Sequence, residues 1–258
     1  GSRAPTAVDK IPGAVTVISK EEVQHTLLLT DDATAVLART VPGYAESSQQ
    51  LSNSGETLRG RTALRLFDGI PQGSPLREGN RAGTFTDMGV IGRVEVINGP
   101  SASEGIGAAG GIINYISKEP AMGTQTQIVS RYSSSFHEGG DGWKVGLNFG
   151  HKEEAYDLLF STAKIDRGVD YDGHGRRVGR RGSGALSDSS TDNLFIKLGT
   201  NFGANGEQRL QATISRFNVM GKGNYIGVDG DRSLGLTNTS ERGQPLGAKT
   251  EFNDFHQY

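Results

Sequence analysis

The stretch GPSASEGIGAAGGIINYISKEP, residues 99–120, decides how the rest of the chain is interpreted. It contains a literal G-x-G-x-x-G in Gly105, Gly107 and Gly110. The run before it, at 93–97, alternates between polar and apolar residues and is typical of a strand. A strand that leads into this glycine pattern is typical of dinucleotide-binding enzymes. This local pattern by itself indicates an oxidoreductase.

The residues after the glycines argue against a dinucleotide site. Such a site needs a helix to begin at the glycines, because the pyrophosphate lies on the helix N-terminus. Residues 112–117 are nearly all β-branched or aromatic and predict a strand, which Pro120 ends. A G-x-S-x-G hydrolase elbow is also absent. No enzyme activity and no catalytic residue is therefore predicted, and a nucleotide-dependent enzyme stays only as an alternative.

The same glycines are predicted to form tight backbone turns, a conformation that glycine adopts without steric cost. The predicted turn residues are Gly99, Pro100, Gly105, Gly107, Gly110 and Gly111.

The composition favours turn-rich β structure. Glycine accounts for 38 of 258 residues, about twice its usual share of roughly 7%. The net charge of -2 provides no basic field, so nucleic acid is not a predicted partner. The chain has no cysteine, and its five histidines show no metal-ligand spacing. Neither a metal site nor a resident cofactor is predicted.

Beyond residue 124 apolar and polar residues alternate. In WKVGLNFG, residues 143–150, every odd position is large and apolar and every even position is polar or glycine. Segments of about ten residues with one apolar and one polar face are typical of outer-membrane barrel strands. Five such strands are predicted, at 125–134, 142–151, 155–166, 191–203 and 207–219. Their connections alternate between tight and long, which suits a barrel, but a soluble antiparallel sheet has the same period and stays an alternative.

The first part of the chain is predicted to be a small α+β unit. A strand at 14–18 runs into a capping-box spacing at 19–22, which predicts a short helix. A second helix is predicted over 31–39. Short strands are predicted at 57–59, 63–67, 93–97 and 112–117.

Residues 11–122 resemble, in the right order, the plug domain of TonB-dependent outer-membrane receptors. The end of the plug is matched by RVEVINGPS and by the glycine run with the strand after it, all within 93–120. Upstream, IPGAVTVI at 11–18 resembles the opening strand of the plug. The segment LRG at 58–60 resembles one further plug motif, and FDGIP at 67–71 resembles the strand and D-G-x-P turn of another, which predicts a turn at 68–69.

The resemblance implies an α+β plug domain at 1–122, followed at 123–258 by the first antiparallel strands of a transmembrane β-barrel. A plugged barrel has about 22 strands, so the barrel is incomplete in this chain. The implied function is active transport of a ferric siderophore across the outer membrane of a Gram-negative bacterium, with release driven by TonB. Iron enters only as part of that ligand. Cobalamin, haem or a glycan is the alternative within the fold, and a soluble β-rich binding protein is the alternative from another class.

The partners implied are the ferric siderophore, TonB with its inner-membrane energising complex, outer-membrane lipid and lipopolysaccharide, and phage or bacteriocins. Ligand contacts are expected on the plug loop at 72–85, where arginines suit an anionic chelate and amides suit its carbonyls. The candidate ligand residues are Gln72, Ser74, Arg77, Asn80, Arg81 and Phe85.

Contacts between plug and barrel are expected from Arg59, Arg93 and Glu95. In some members of the family, the arginine before Gly-Pro helps pair the plug with acidic residues of the barrel wall. Asn98 stands at that position here, so the resemblance does not extend to this contact. A long connection that carries Arg176, Arg177, Arg180 and Arg181 is expected to be solvated or to face lipopolysaccharide.

Overall fold

The computed structural model describes residues 14–46, 55–72, 86–99, 108–178, 187–203, 206–244 and 252–257. The chain forms two compact units, Gly1–Glu119 and Pro120–Tyr258. The boundary predicted between residues 122 and 123 lies just inside the second unit.

The first unit is a mixed sheet with two helices. In chain order it contains β1 (Ala14–Ile18), α1 (Lys20–Leu27), α2 (Ala33–Thr40), β2 (Tyr44–Ala45), β3 (Thr57–Leu58), β4 (Leu64–Phe67), β5 (Ile70–Pro71), a 3-10 helix (Met88–Val90), β6 (Ile91–Asn98) and β7 (Gly111–Ser117). The sheet order is β1-β6-β7-β4-β5, and β2 pairs with β3 separately. β4 runs parallel to β7, while the other pairs are antiparallel. This architecture is the predicted α+β fold.

Apolar side chains of the central strands form the core of this unit. Val94, Val96, Ile112 and Ile113 are all 0% exposed. Fully burying such a side chain contributes about 1.5–3 kcal/mol, so β6 and β7 anchor the unit.

The two helices begin where capping side chains satisfy their first free N–H groups. Ser19 accepts a hydrogen bond from the Glu22 N–H, and the Glu22 side chain accepts one from the Ser19 N–H, which completes the predicted capping box. α2 begins later than predicted because Asp32 is its cap, accepting from the Thr34 N–H at 2.9 Å.

The second unit is built around an antiparallel sheet of six strands. In chain order it contains β8 (Gly123–Ser134), β9 (Asp141–Lys152), β10 (Tyr156–Arg167), β11 (Ser189–Phe202), β12 (Gln208–Gly221), β13 (Tyr225–Val228), a 3-10 helix (Arg232–Leu234), β14 (Thr239–Arg242) and β15 (Phe252–Gln257). The sheet order is β15-β12-β11-β10-β9-β8, and β13 pairs with β14 as a separate hairpin. All five predicted strands are present, with small shifts at their ends.

Three strands, β13, β14 and β15, were not predicted. In β15 the phenylalanines stand at Phe252 and Phe255, three residues apart, so the two-residue alternation of a strand is absent. β13 and β14 have four residues each, too few to establish a period.

The connections differ strongly in length between the two ends of the sheet. At one end, called here the short-turn end, residues 153–155 and 203–207 join neighbouring strands. At the other, the long-connection end, the strands are joined by 135–140, 168–188 and 222–251. This asymmetry is the one predicted for a barrel wall.

Candidate functional site

One face of the six-stranded sheet is apolar and exposed. Tyr132 pairs with Trp143, and Ile214 pairs with Ile196, so large apolar side chains stand side by side across the strands. The exposed side chains on this outward face are Ile128, Tyr132, Trp143, Val145, Tyr156, Leu194, Leu198, Phe202, Leu210, Ile214 and Met220, between 37% and 75% exposed. A contiguous apolar surface of this kind marks a face that contacts something other than water.

The opposite face of the same sheet is buried and rich in polar groups. Ser161 donates to the Asn148 side chain at 2.6 Å, and Arg209 pairs with Asp157 at 2.7 Å. Its buried polar residues are Lys144, Asp157, Ser161, Thr191, Asn193, Lys197 and Ser215, each at most 7% exposed. Phe195 is also buried on this face. A sheet that folds in water turns its apolar face inward, so this arrangement favours a barrel wall over a soluble sheet.

The outward apolar band is close in height to the apolar band of an outer-membrane barrel. Along β11 it runs from Leu194 to Phe202, which is about 27 Å of strand at ~3.4 Å per residue, or roughly 20 Å of height at the tilt of about 35–45° that barrel strands have. The apolar band of an outer-membrane barrel is about 25 Å tall. The next outward residue towards the long-connection end is Asp192, which pairs with Lys164 at 2.8 Å. The band therefore ends on an ion pair.

Aromatic residues flank this band at both ends. The cross-strand pair of Tyr132 and Trp143 stands near the long-connection end. Tyr156 and Phe202 stand near the short-turn end. Aromatic girdles at these two levels are typical of membrane barrels, because amphipathic rings favour the interface.

The predicted turn at residues 68–69 forms and organises the edge of the first unit. Asp68 and Gly69 have φ values of 47° and 81°, and β4 and β5 pair around them as a two-residue hairpin. The Asp68 carboxylate accepts from the Ser117 N–H at 2.8 Å and from its hydroxyl at 2.7 Å. The Gly69 N–H donates to the Asn114 side chain at 3.1 Å. These contacts could not be predicted from the sequence, since they depend on the parallel pairing of β4 with β7.

A second polar group lies deeper in the first unit. Arg65 and Glu56 form an ion pair, with side chains 8% and 4% exposed.

Two tyrosines of the first unit are also buried. Burial raises the pKa of Tyr115 above its usual range, and burial likewise raises the pKa of Tyr44. Both phenols therefore stay neutral hydroxyls, able to donate hydrogen bonds inside the domain.

Of the candidate ligand residues, the structure describes Gln72. Its side chain is 6% exposed, and its Nε2 donates to the Ile70 carbonyl at 2.8 Å. Its N–H donates to the Arg65 carbonyl at 2.9 Å, so the start of the candidate loop is fixed to β4. Ser74, Arg77, Asn80, Arg81 and Phe85 lie outside the described residues.

The three residues expected to contact the barrel are well defined within the first unit. Arg93 and Glu95 stand on one face of β6 and pair at 3.1 Å. Arg59 has an exposed side chain and a φ of 54°, and its N–H donates to the Gly43 carbonyl at 2.7 Å. Their role towards a barrel wall stays a prediction.

Two of the predicted turn glycines lie where a side chain has no room. A Cβ on Gly110 would lie 2.6 Å from the Arg61 carbonyl oxygen. Gly111 has a φ of 132°, and a Cβ there would lie 2.2 Å from the Ile97 carbonyl oxygen. Gly99 lies opposite Gly110, and the Gly99 N–H donates to the Gly110 carbonyl at 3.3 Å. Pro100, Gly105 and Gly107 lie outside the described residues.

A cluster of charged and aromatic residues at the long-connection end was not predicted as a site. It surrounds a cavity of about 440 Å³. Arg176 pairs with Asp172 at 2.9 Å, and Arg177 lies 3.4 Å from Glu138. Both arginines lie in the connection expected to be solvated or to face lipopolysaccharide, and each also has an acidic partner. Arg180 and Arg181 lie outside the described part of the chain.

Two further features are absent from the described residues. No group of three or more His, Cys, Asp or Glu side chains there is arranged to hold a metal ion. No helix of the described ranges has the length and apolar character needed to cross a membrane.

Comparison with known proteins gives a consistent result. Residues 7–112 match the model of the TonB-dependent Receptor Plug Domain. The chain is 29% identical over 180 residues to the rhizobactin receptor of Rhizobium meliloti (strain 1021), covering 68% of this chain and 24% of the receptor. It is 31% identical over 141 residues to the hemin receptor of Yersinia enterocolitica, covering 50% of this chain and 20% of that receptor. The chain thus spans about a quarter of the length of these relatives or less.

A solved structure shows the same fold. The siderophore receptor PirA from Acinetobacter baumannii superimposes with a TM-score of 0.59 at 22% identity, over 80% of this chain and 31% of that one. A plug-type α+β domain followed by barrel strands defines the class of plugged outer-membrane β-barrels. Within that class, residues 7–112 match the TonB-dependent Receptor Plug Domain, and the chain as a whole is similar to TonB-dependent receptors.

Proposed function

We propose that the chain is part of an outer-membrane receptor of a Gram-negative bacterium that takes up a ferric siderophore by TonB-dependent transport. The observation that carries the proposal is the succession of two parts along the chain. A plug-domain match at 7–112 is followed by a sheet with an apolar outward face. The siderophore as ligand is supported by the names of two similar proteins, a rhizobactin receptor and a siderophore receptor.

Transport across the outer membrane needs energy from elsewhere, because that membrane has no ATP supply. Ligand binding on the outer side and TonB binding on the periplasmic side then form two sites coupled through the plug. Part of the first unit is held by polar contacts, such as those of Asp68 with Ser117 and of Glu56 with Arg65. A hydrogen bond to a charged group contributes about 1.5–3 kcal/mol net, because water replaces it once the groups are exposed. Such contacts suit a domain that rearranges in a watery lumen.

The candidate ligand residues remain part of the proposal. The loop at 72–85 carries Arg77 and Arg81, which suit the negative charge of a ferric chelate. Gln72, the first residue of this loop, is anchored to β4 through its backbone N–H and to β5 through its side chain.

Haem is the second candidate ligand, because the hemin receptor of Yersinia enterocolitica is 31% identical over the matched part. The two ligands differ in chemistry: a siderophore is rich in oxygen ligands, whereas haem is a large apolar disc with two propionates.

Growth of an iron-starved deletion strain on a panel of siderophores and on haemin tests the proposal. We expect at least one siderophore to restore growth when the receptor gene is returned, and no rescue in a strain that lacks TonB. Rescue by haemin alone would identify haem, and not a siderophore, as the ligand. Rescue that does not need TonB would overturn the transport mechanism.

The variant Arg81→Ala tests the ligand loop. Loss of one charge-assisted hydrogen bond, worth about 1.5–3 kcal/mol, predicts a Kd for the rescuing siderophore that is at least about tenfold higher. The matched control is Arg39→Ala, on an exposed position of α2. Equal affinities of the two variants would remove Arg81 from the site.

A further inference from the structure

Three connections meet at the long-connection end of the sheet, at residues 135–140, 168–188 and 222–251. Glu138, in the first of them, is the acceptor that the other two share. Its Oε1 accepts from Nη2 of Arg242 at 2.6 Å, and its Oε2 accepts from Nη2 of Arg177 at 3.4 Å. One carboxylate therefore binds a guanidinium from each of the other two connections.

The backbone of Glu138 is held as well. The Tyr171 hydroxyl donates to the Glu138 carbonyl at 2.6 Å, and it accepts from Nε of Arg177 at 3.1 Å. Tyr171 also stacks on His137 with ring centroids 4.6 Å apart. The first two connections are thus joined through both the side chain and the main chain of residue 138.

The second and third connections contact each other around one aromatic ring. Arg177 and Arg242 both lie over the Tyr225 ring, 5.4 Å and 6.0 Å from its centroid. The Ser240 hydroxyl donates to the Val178 carbonyl at 3.0 Å. Two guanidinium groups that share one ring repel each other, so their common carboxylate partner is what makes the arrangement favourable.

We propose that Glu138 is the centre of an ionic latch that holds the three connections together, and that loss or screening of its charge releases them. The latch consists of Glu138, Tyr171, Arg177, Tyr225 and Arg242. Glu138, Tyr171 and Arg177 also line the cavity of about 440 Å³, so the state of the latch sets access to that cavity. The inference concerns the conformation of these connections and does not depend on the ligand proposed above.

Asp172 provides a matched control, because its contacts lie within a single connection. Asp172 accepts from the His174 and Arg176 backbone N–H groups and pairs with the Arg176 side chain, all at 2.9 Å. Asp172→Asn therefore removes an acidic partner of an arginine in the same region without touching the latch.

Spin-label distances in the complete receptor, in outer membranes, test the latch. The 258 residues contain no cysteine, so labels are introduced at Gly173→Cys in the second connection and Leu234→Cys in the third. A Cβ on Gly173 meets no atom within 4 Å, and Leu234 is 71% exposed, so neither label disturbs packing. We expect one narrow distance distribution for the parent and for Asp172→Asn.

We expect Glu138→Gln to raise the population of longer distances between the two labels about fivefold. The effect is modest because the variant removes two exposed ion pairs, each of which contributes little. About 1 M salt, where the Debye length is ~3 Å, should produce the same change in the parent. Distributions for Glu138→Gln that match the parent, or equal broadening in Asp172→Asn, would overturn the latch. If Glu138→Gln does not assemble, Arg242→Gln removes the 2.6 Å contact from its other side and must broaden the distribution.

Discussion

The two sheets of this chain place the same kinds of residue on opposite sides. In the first unit, Val96 and Ile112 are 0% exposed and form the core. In the second, Val145 and Leu198 are 51% and 50% exposed, while Lys144 is only 5% exposed. The first sheet is organised as water requires, and the second as lipid requires. Burial pattern, rather than strand periodicity, therefore distinguishes a plug sheet from a barrel wall.

The largest expected effect comes from a charge in the middle of the outward face. Leu198→Arg should cost about 2–4 kcal/mol if this face contacts hydrocarbon, and it should prevent assembly of the barrel. Assembly is measured in outer membranes by the heat-modifiable band on SDS gels.

The matched control is Phe202→Arg, at the last outward apolar residue of β11 at the short-turn end, where an interfacial arginine costs about 0–1 kcal/mol. Equal, near-wild-type assembly of both variants would mean that the outward face meets water, and the contrast between the two sheets would be lost.

A smaller effect is expected in the first unit, where backbone space rather than lipid sets the constraint. Gly111→Ala places a Cβ 2.2 Å from the Ile97 carbonyl oxygen, and we expect it to destabilise the unit by about 2 kcal/mol or more. Hydrogen exchange of the β6 and β7 amides in the complete receptor measures the change.

Gly60→Ala is the control for this substitution. Gly60 also has a positive φ, of 73°, but a Cβ there meets no atom within 4 Å. It should cost only the conformational strain of about 1 kcal/mol. Equal exchange rates in the two alanine variants would show that close approach at Gly111 is not the constraint.

The smallest expected effect is at the cap of α1. Ser19→Ala removes the side chain that accepts from the Glu22 N–H and should destabilise the helix by about 1 kcal/mol. Faster exchange of the Val23 amide, which donates to the Ser19 carbonyl at 3.0 Å, reports the loss. Lys20→Ala, at an exposed helical position, should leave that exchange unchanged; a similar acceleration there would contradict the capping role.

Local patterns in the sequence predicted the local structure well. The capping box at 19–22, the turn at 68–69 and the five long strands are each set by residues close together in the chain, so they could be recognised without a structure. The resemblance to the plug domain gave the order of these elements and the family.

Features that depend on distant residues could not be predicted. The bonds between Asp68 and Ser117 join residues 49 positions apart, and they require the parallel pairing of β4 with β7. The contact between Glu138 and Arg242 joins residues 104 positions apart. Alternation in the second unit was predicted, but the same period serves a soluble sheet, so only the burial of each face decided between them.

Lipid quenching at two neighbouring positions of β11 tests most directly whether the second sheet faces a membrane with its apolar side. A fluorophore on Leu198→Cys, on the outward face, should be quenched strongly by brominated lipid in the reconstituted receptor. The same fluorophore on Lys197→Cys, one residue away on the buried face, should be quenched weakly. Equal quenching at both positions, or quenching of the label at 198 by a water-soluble quencher alone, would contradict the assignment of this sheet as a barrel wall.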